Sequence, residues 1–417
     1  MTRIHSFVKY LPRFNYQPIV LTLKESYAYA HAIDHSLLEE YDPVVKIFRT
    51  GSLEPTGVVG GNIKNNLTGF IGKEKSVAGN LRKYLKSIIQ LFLIPDEKIL
   101  WLVPAVIKAW KITKELNIQI IFITSPPHSV SLIGCVIAKI TGIPFVWDIR
   151  DDWVGNKYFA PSHWYRSKIE SFMEAWTVSQ AEMLIAVTEE SKKFLVQKYP
   201  RDIDKIHFIP NGFDPEILEV NLLRSSQNKE ICRFIYSGSL TWRRDLSVFF
   251  DVIAELNQNG ELVNQISIDF VGSVHEKHIE YIEHLGIQNI VSTHGHLSHQ
   301  ESIRKLVDAD VCILVSTPEE GSRTVIPSKI YEYLAFNKFI FTLAEANSAV
   351  AGLMKNQQFG MVMSPSDYQS IREGLESVIV AYRAGSLVVN IQDEYIDQYN
   401  RINLTEALAE SFNQISV

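Results

Sequence analysis

Ile118-Gln119-Ile120-Ile121-Phe122-Ile123-Thr124-Ser125-Pro126-Pro127-His128 is where the architecture can be read. The first seven residues are mostly β-branched or aromatic and read as a buried strand. Ser125-Pro126-Pro127-His128 ends it with a rigid turn. An apolar helix over 129–141 and a second strand over 143–149 follow. A strand, a crossing helix and another strand form one βαβ unit, its strands parallel and covered.

The alternation extends both ways from this unit. Before it, strands are predicted over 19–23 and 44–48 and helices over 77–94 and 100–116. After it come a helix over 165–179, a strand over 183–187, a helix over 189–199 and a strand over 206–209. Pro210-Asn211-Gly212 breaks the pattern, and a polar stretch over 221–230 marks a boundary. The alternation restarts with strands over 234–236, 265–271, 290–293, 311–315 and 339–342. Helices over 245–257, 277–285, 300–307 and 328–335 separate them. The fold class is therefore α/β, with two Rossmann-like doubly wound parallel-sheet domains facing a cleft. Ligands are expected beyond the carboxyl ends of the strands. The domains are placed at 1–215 and 225–385, with a C-terminal segment over 386–417 that contains a helix over 399–412.

Composition agrees with a two-domain globular protein. A chain of 417 residues exceeds one ordinary core. Hydrophobic residues make up 46% and charged residues 21%. No apolar run approaches the roughly 18 residues needed to span a bilayer, and residues 1–10 lack a signal-peptide block. A cytoplasmic protein, possible at the inner face of a membrane, is expected. Cys135, Cys232 and Cys312 sit in separate apolar runs and read as buried reduced thiols. A net charge of −6 gives no general pull toward nucleic acid, so none is expected as a partner.

Four segments carry candidate chemistry. Thr324-Val325-Ile326-Pro327-Ser328-Lys329-Ile330-Tyr331-Glu332-Tyr333-Leu334-Ala335 opens a helix with Pro327 in its first turn. Helix-start amides and Lys329 suit a diphosphate, and Glu332, three positions on, suits ribose hydroxyls. Taken alone, the pattern reads equally as an ordinary helix with a surface Lys–Glu pair. Ser237-Gly238-Ser239-Leu240-Thr241-Trp242-Arg243-Arg244-Asp245 offers a strand-to-helix turn with two guanidinium groups, or else a turn with solvated arginines. Ser125-Pro126-Pro127-His128 holds an imidazole at a strand end, or is a helix-entry turn with a solvated His. In Asp148-Ile149-Arg150-Asp151-Asp152-Trp153 the acids are expected to pair with Arg150 and structure the cleft, and not to bind a metal.

These segments, with Ile209-Pro210-Asn211-Gly212-Phe213-Asp214, occur in an order that resembles the family 4 retaining glycosyltransferases (glycosyl transferases group 1), with a subfamily-4-like N-terminal domain. The resemblance covers about residues 3–410. It implies a GT-B fold, no metal or other cofactor, and sugar transfer from a nucleoside diphosphate to an acceptor with retention. It also implies that the C-terminal helix packs back on the first domain. By similarity Glu332 binds the donor ribose, Arg244 and Arg243 neutralise the diphosphate, His128 lies near the transferred sugar, and Leu297 lies near the base. The expected catalytic set is His128, Arg244 and Lys329. The donor-binding set is Gly238, Arg243, Arg244, Leu297, Thr324, Val325, Ile326, Lys329 and Glu332, and Asp148, Arg150 and Asp151 structure the cleft. A retaining hexosyltransferase of class EC 2.4, acting on a glycan or lipid-linked acceptor in cell-surface polysaccharide or glycolipid synthesis, is the implied activity. A nucleotide-sugar epimerase and an inactive partner subunit are the alternatives.

Two departures stand out. The family often has two glutamates eight positions apart; Glu332 matches the second, but position 324 is Thr, and Glu319 and Glu320 are off register. The chain also opens inside what resembles the helix after the family's first strand and glycine-rich loop. Loss of a central strand would leave ladder groups unpaired at about 1–3 kcal/mol each when buried, so Met1 is expected to be an internal or misassigned start. Among other signals, His294-x-His296-x-x-His299 reads as a polar loop. Gly57-Val58-Val59-Gly60-Gly61 reads as a flexible loop without dinucleotide spacing. Basic residues preceding an apolar face over 81–94 suit either a core-covering helix or peripheral membrane contact.

Overall fold

The β-branched runs become parallel strands where a helix between consecutive runs returns the chain to the same end of the sheet. The computed structural model describes residues 2–27, 41, 43–53, 93–155, 163–219, 230–260, 262, 265–316, 324–355, 359–389 and 391–415. The loop over 57–61, most of the helix expected over 77–94, the stretch 221–229, and Glu319 and Glu320 lie outside them. The chain divides into two units, Met1–Ile209 with Thr405–Val417, and Pro210–Leu404. Residues 386–404, placed in a C-terminal segment from the sequence, thus group with the second unit.

The first unit runs α1 (Thr2–Tyr10), β1 (Ile19–Leu23), β2 (Lys46–Thr50), α2 (Leu102–Glu115), β3 (Ile121–Ser125), α3 (Ser129–Thr141), β4 (Phe145–Ile149), α4 (Trp164–Gln180), β5 (Met183–Ala186), α5 (Glu189–Lys198) and β6 (Ile206–Phe208). Strands β3-β4-β5-β6 form one parallel sheet in that order, and β1 and β2 form another. Among the described residues β1 pairs only with β2 and β3 only with β4, so this sheet is in two pieces. Burial follows pairing. β4 and β5 are buried throughout, whereas β1 is partly exposed along its length and β3 up to Thr124. Phe145, Trp147, Ile149 and Leu184 pack with Leu132, Cys135 and Val178 in the main core. The end of the chain adds to this unit: Phe412 meets the rings of Phe122 and Tyr16.

The second unit runs β7 (Cys232–Ser237), α6 (Ser247–Gln258), β8 (Ile266–Val271), α7 (Glu276–Leu285), β9 (Val291–Thr293), α8 (His299–Asp308), β10 (Val311–Val315), α9 (Lys329–Ala335), β11 (Phe339–Leu343), α10 (Ala349–Lys355), β12 (Gly360–Met363), α11 (Tyr368–Arg383) and α12 (Asp393–Asp397). The last helix, α13, spans Arg401–Asn413. The sheet is six-stranded and parallel, in the order β12-β11-β10-β7-β8-β9. Strand order reverses between β7 and β10, the switch point where doubly wound sheets bind ligands. Phe234, Phe249, Phe250, Phe270 and Phe341 fill one face. Ile235, Cys312, Leu314, Ile330, Tyr331 and Tyr333 fill the other. All three cysteines are free and buried.

Candidate active site

The switch point of the second unit gathers the predicted phosphate-binding residues. The chain leaves β7 at Gly238, whose φ of 122° suits a residue without Cβ. The adjacent loop after β8 approaches so closely that a Cβ on Gly272 would lie 2.5 Å from the Gly238 carbonyl oxygen. Arg244 is folded back over this turn. Its Nη1 donates to Tyr236 Oη at 2.7 Å and to the Ser239 carbonyl at 2.9 Å. Two acceptors fix the guanidinium and leave its other donors for a ligand.

Lys329 comes to the same place from α9. Its Nζ is buried, lies 3.5 Å from the centre of the Tyr236 ring and has no hydrogen-bond acceptor among the described residues. A Cβ added to Gly238 would stand 3.2 Å from this nitrogen. Burial pushes the Lys329 pKa well down, and the Arg244 guanidinium pushes the same way. A buried cation without an acceptor is costly and is relieved by an anion. Glu332, one turn further along α9, is held above the ordinary carboxylate range by burial, while Arg401, His299 and Lys329 act to lower it.

The other expected donor residues fall into two groups. Leu297 and Ile326 are partly buried against the second face's core. Thr324 and Val325 are partly buried in the connection leading to α9. Arg243 differs from Arg244: its guanidinium lies over the Trp242 ring at 5.3 Å. Ser328 has helical backbone angles and makes no side-chain cap, and α9 has only seven residues. The expected contribution of helix-start amides is therefore modest, because a helix of two turns develops little dipole. Lys329 and Arg244 are the basic side chains gathered at this turn.

In the first unit, His128 precedes α3, stacks on Trp153 with ring centres 5.0 Å apart, and is lowered to about 4 by burial and by Arg150. Its imidazole is thus neutral near pH 7. The expected pairing of Asp148 with Arg150 is not what the structure has. Asp148 is fully buried in β4 and takes a bidentate guanidinium from Arg3 of α1, Nη2 to Oδ1 at 2.8 Å and Nε to Oδ2 at 3.2 Å. Thr124 Oγ1 donates to it at 2.9 Å. A carboxylate in mid-strand must be met by the helix lying on that face. Arg150 is past the strand end and donates to the Pro126 carbonyl at 2.6 Å. Asp151 keeps Arg150 as its neighbour, although burial raises its pKa.

Tyr236, Arg401 and Arg3 were not singled out from the sequence; each looks like an ordinary core or surface residue until its partner is known. The His294 segment is engaged locally, with His294 Nε2 2.6 Å from Asp269 Oδ1 and Lys305 beside both. Among the described residues no group of three His, Cys, Asp or Glu could hold a metal ion. No helix among them is long and apolar enough to cross a membrane.

Two Rossmann-like α/β units, one with an anion-ready switch point, define the class of protein as GT-B in fold. The sequence profile described as Glycosyltransferase Family 4 matches residues 72–217. Sucrose-phosphate synthase from Thermosynechococcus elongatus has a similar fold, with TM-score 0.69 and 13% identity over 99% of this chain and 92% of that one. Anabaena HepE, in complex with UDP and glucose, gives TM-score 0.63 and 14% identity over 99% and 95%. WaaG, a glycosyltransferase involved in lipopolysaccharide biosynthesis, gives 0.60 and 12% over 99% and 96%. No curated protein sequence matches significantly. The profile match makes residues 72–217 similar to that family, and the solved structures share the GT-B fold with the whole chain.

Proposed function

We propose that the protein moves a sugar from a nucleoside diphosphate-sugar to a hydroxyl acceptor with retention, the second unit holding the donor and the first serving the acceptor. The observation that carries this reading is the unpartnered ammonium of Lys329 beside the Gly238 turn, with Arg244 next to it. Those two cations would take the diphosphate, and Glu332 would take the ribose hydroxyls. As the bond from the anomeric carbon to phosphate oxygen breaks, negative charge grows on the diphosphate, where fixed cations stabilise it. The acceptor oxygen bonds to the anomeric carbon on the same face, and its proton passes to the leaving phosphate oxygen. A neutral imidazole with a pKa of about 4 is a poor proton acceptor, so no proton transfer is assigned to His128. The nucleotide in the HepE structure and the lipopolysaccharide role of WaaG support a nucleotide-sugar donor and a cell-surface glycan or glycolipid product.

A donor screen tests the reading. UDP or GDP should raise the melting temperature, and Glu332→Gln should increase the donor KM at least about tenfold, the loss of a charge-assisted hydrogen bond. Turnover of donor without acceptor would identify an epimerase instead. Nucleotide binding without turnover on any acceptor would identify an inactive partner subunit.

A further inference from the structure

His278 is a buried imidazole to which the proposed chemistry gives no task. It lies in the first turn of α7, is 2% exposed, and packs beside the Phe250 ring of α6 with ring centres 6.4 Å apart. Its Nε2 stands 3.2 Å from the Thr241 carbonyl oxygen. The same oxygen accepts the Arg244 backbone N–H at 3.1 Å. A carbonyl has two lone pairs and can serve both donors. The Thr241 carbonyl thus closes the turn that carries Arg244, and a side chain from a separate helix holds that carbonyl.

The turn buries little of its own surface. Leu240 and Leu246 are buried on either side of it, and Leu240 is bonded through its backbone to Ser273 and His275. Between those two leucines, Thr241, Trp242 and Asp245 are exposed, and Arg243 and Arg244 are half-buried. Segments with so few buried contacts open locally at small cost. Yet the Arg244 guanidinium keeps its bonds to Tyr236 and Ser239 only while its backbone stays in place.

We propose that His278 is a positioning residue for Arg244, acting through the Thr241 carbonyl. Facing an oxygen acceptor, Nε2 must carry the proton. Burial lowers the His278 pKa against the opposing pull of the Thr241 carbonyl and Asp245, with Lys277 and His275 adding to the lowering. The ring is therefore neutral near pH 7 and has one N–H to give, which this contact assigns to Nε2. The bond keeps the turn in the pose that Arg244 needs, so a bound diphosphate is spared the cost of ordering it. The inference rests on the donor-site reading above.

Calorimetric titration of the full chain with UDP and GDP tests it. His278→Phe keeps a ring beside Phe250 and removes the donor. It should weaken binding of the preferred nucleotide about fivefold, the worth of one hydrogen bond. His278→Gln places an amide N–H toward the same carbonyl and should recover most of the loss. In an Arg244→Ala background, His278→Phe should cost nothing further, whereas a general loss of packing would cost the same in both backgrounds. The inference is overturned if His278→Phe binds as the wild type does, if His278→Gln recovers nothing, or if the loss persists without Arg244. Imidazole nitrogen NMR of the wild type adds a check that does not depend on the folding of His278→Phe: the Nε2–H tautomer is expected, and the Nδ1–H tautomer would overturn the inference. Absence of UDP and GDP binding by the wild type would overturn the donor-site reading as well. Loss of binding in Arg244→Ala but not in His278→Phe would overturn this inference alone.

Discussion

The ammonium nitrogen of Lys329 sits 3.5 Å from the centre of the Tyr236 ring. A π-face offsets part of the cost of burying a cation, but not as a carboxylate or phosphate would. In the unfolded chain the same amine stays protonated to about pH 10.4, whereas burial and Arg244 lower its pKa in the fold. Between those two values unfolding takes up a proton, so the ligand-free protein gains stability as pH rises through that window. UDP beside the amine would restore its charge. Binding at mildly alkaline pH should therefore take up a proton, and Lys329→Met should abolish the uptake while leaving the melting temperature equal or higher. Calorimetry in two buffers of different ionisation heat reads the proton, and identical uptake in both proteins would remove Lys329 from the site.

Arg244 is held by Tyr236 and Ser239 in a single pose. Removing a group that stabilises developing charge costs about 10²–10³ in kcat. Arg244→Ala should show that loss with folding intact, and Arg244→Lys should recover little of it, since one ammonium cannot satisfy both acceptors and a phosphate. Arg243→Ala, whose guanidinium rests on Trp242, should lose less. Equal losses in steady-state assays would show that the two arginines are not distinguished.

The buried Arg3–Asp148 pair joins α1 to β4. Removing one partner of such a pair costs about 3–5 kcal/mol, because the other charge remains uncompensated. Asp148→Ala should lower stability in urea titrations by that amount. Asp151→Ala should lower it by clearly less, because among the described residues no ion pair of this kind holds Asp151. The reverse order would place the structural carboxylate at 151.

The His128 pKa is lowered to about 4 from 6.5 by burial and by Arg150. As pH falls, the unfolded chain takes the proton first. The stability linked to neutral His128 is complete above pH 6.5 and is lost as pH falls toward 4. The loss is on the order of 3 kcal/mol at most. His128→Phe keeps a ring on Trp153 and should flatten this acid limb between pH 7 and 4.5. An unchanged slope would assign it to another group.

Elements whose signal is local were legible. The run Val311-Cys312-Ile313-Leu314-Val315 became β10 with the expected bounds, because an apolar stretch in mid-sheet has one place to go. The strand expected over 118–124 begins at Ile121 instead, since Ile121 is the first residue with a partner, Phe145, in β4. The sequence pattern does not mark strand β12 or helix α11. Gly360 weakens the strand pattern, yet a Cβ there would lie 2.0 Å from the Ile340 carbonyl oxygen, a demand visible only in three dimensions. Spacing put Lys329 and Glu332 on one helix turn. No spacing relates Arg3 to Asp148, 145 positions away, or marks Tyr236 as different from its neighbours in β7.

The buried cysteines equip the molecule with its own clocks. Burial pushes the Cys135 thiol up to about 11 and raises Cys232 and Cys312 further. Only thiolate attacks an alkylating reagent, so labelling must wait until the surrounding structure opens. Cys135 lies in the first unit, and Cys232 and Cys312 lie in the second. The order in which single labels accumulate, read by mass spectrometry on native protein, would time the opening of each half of the chain with no probe added to either.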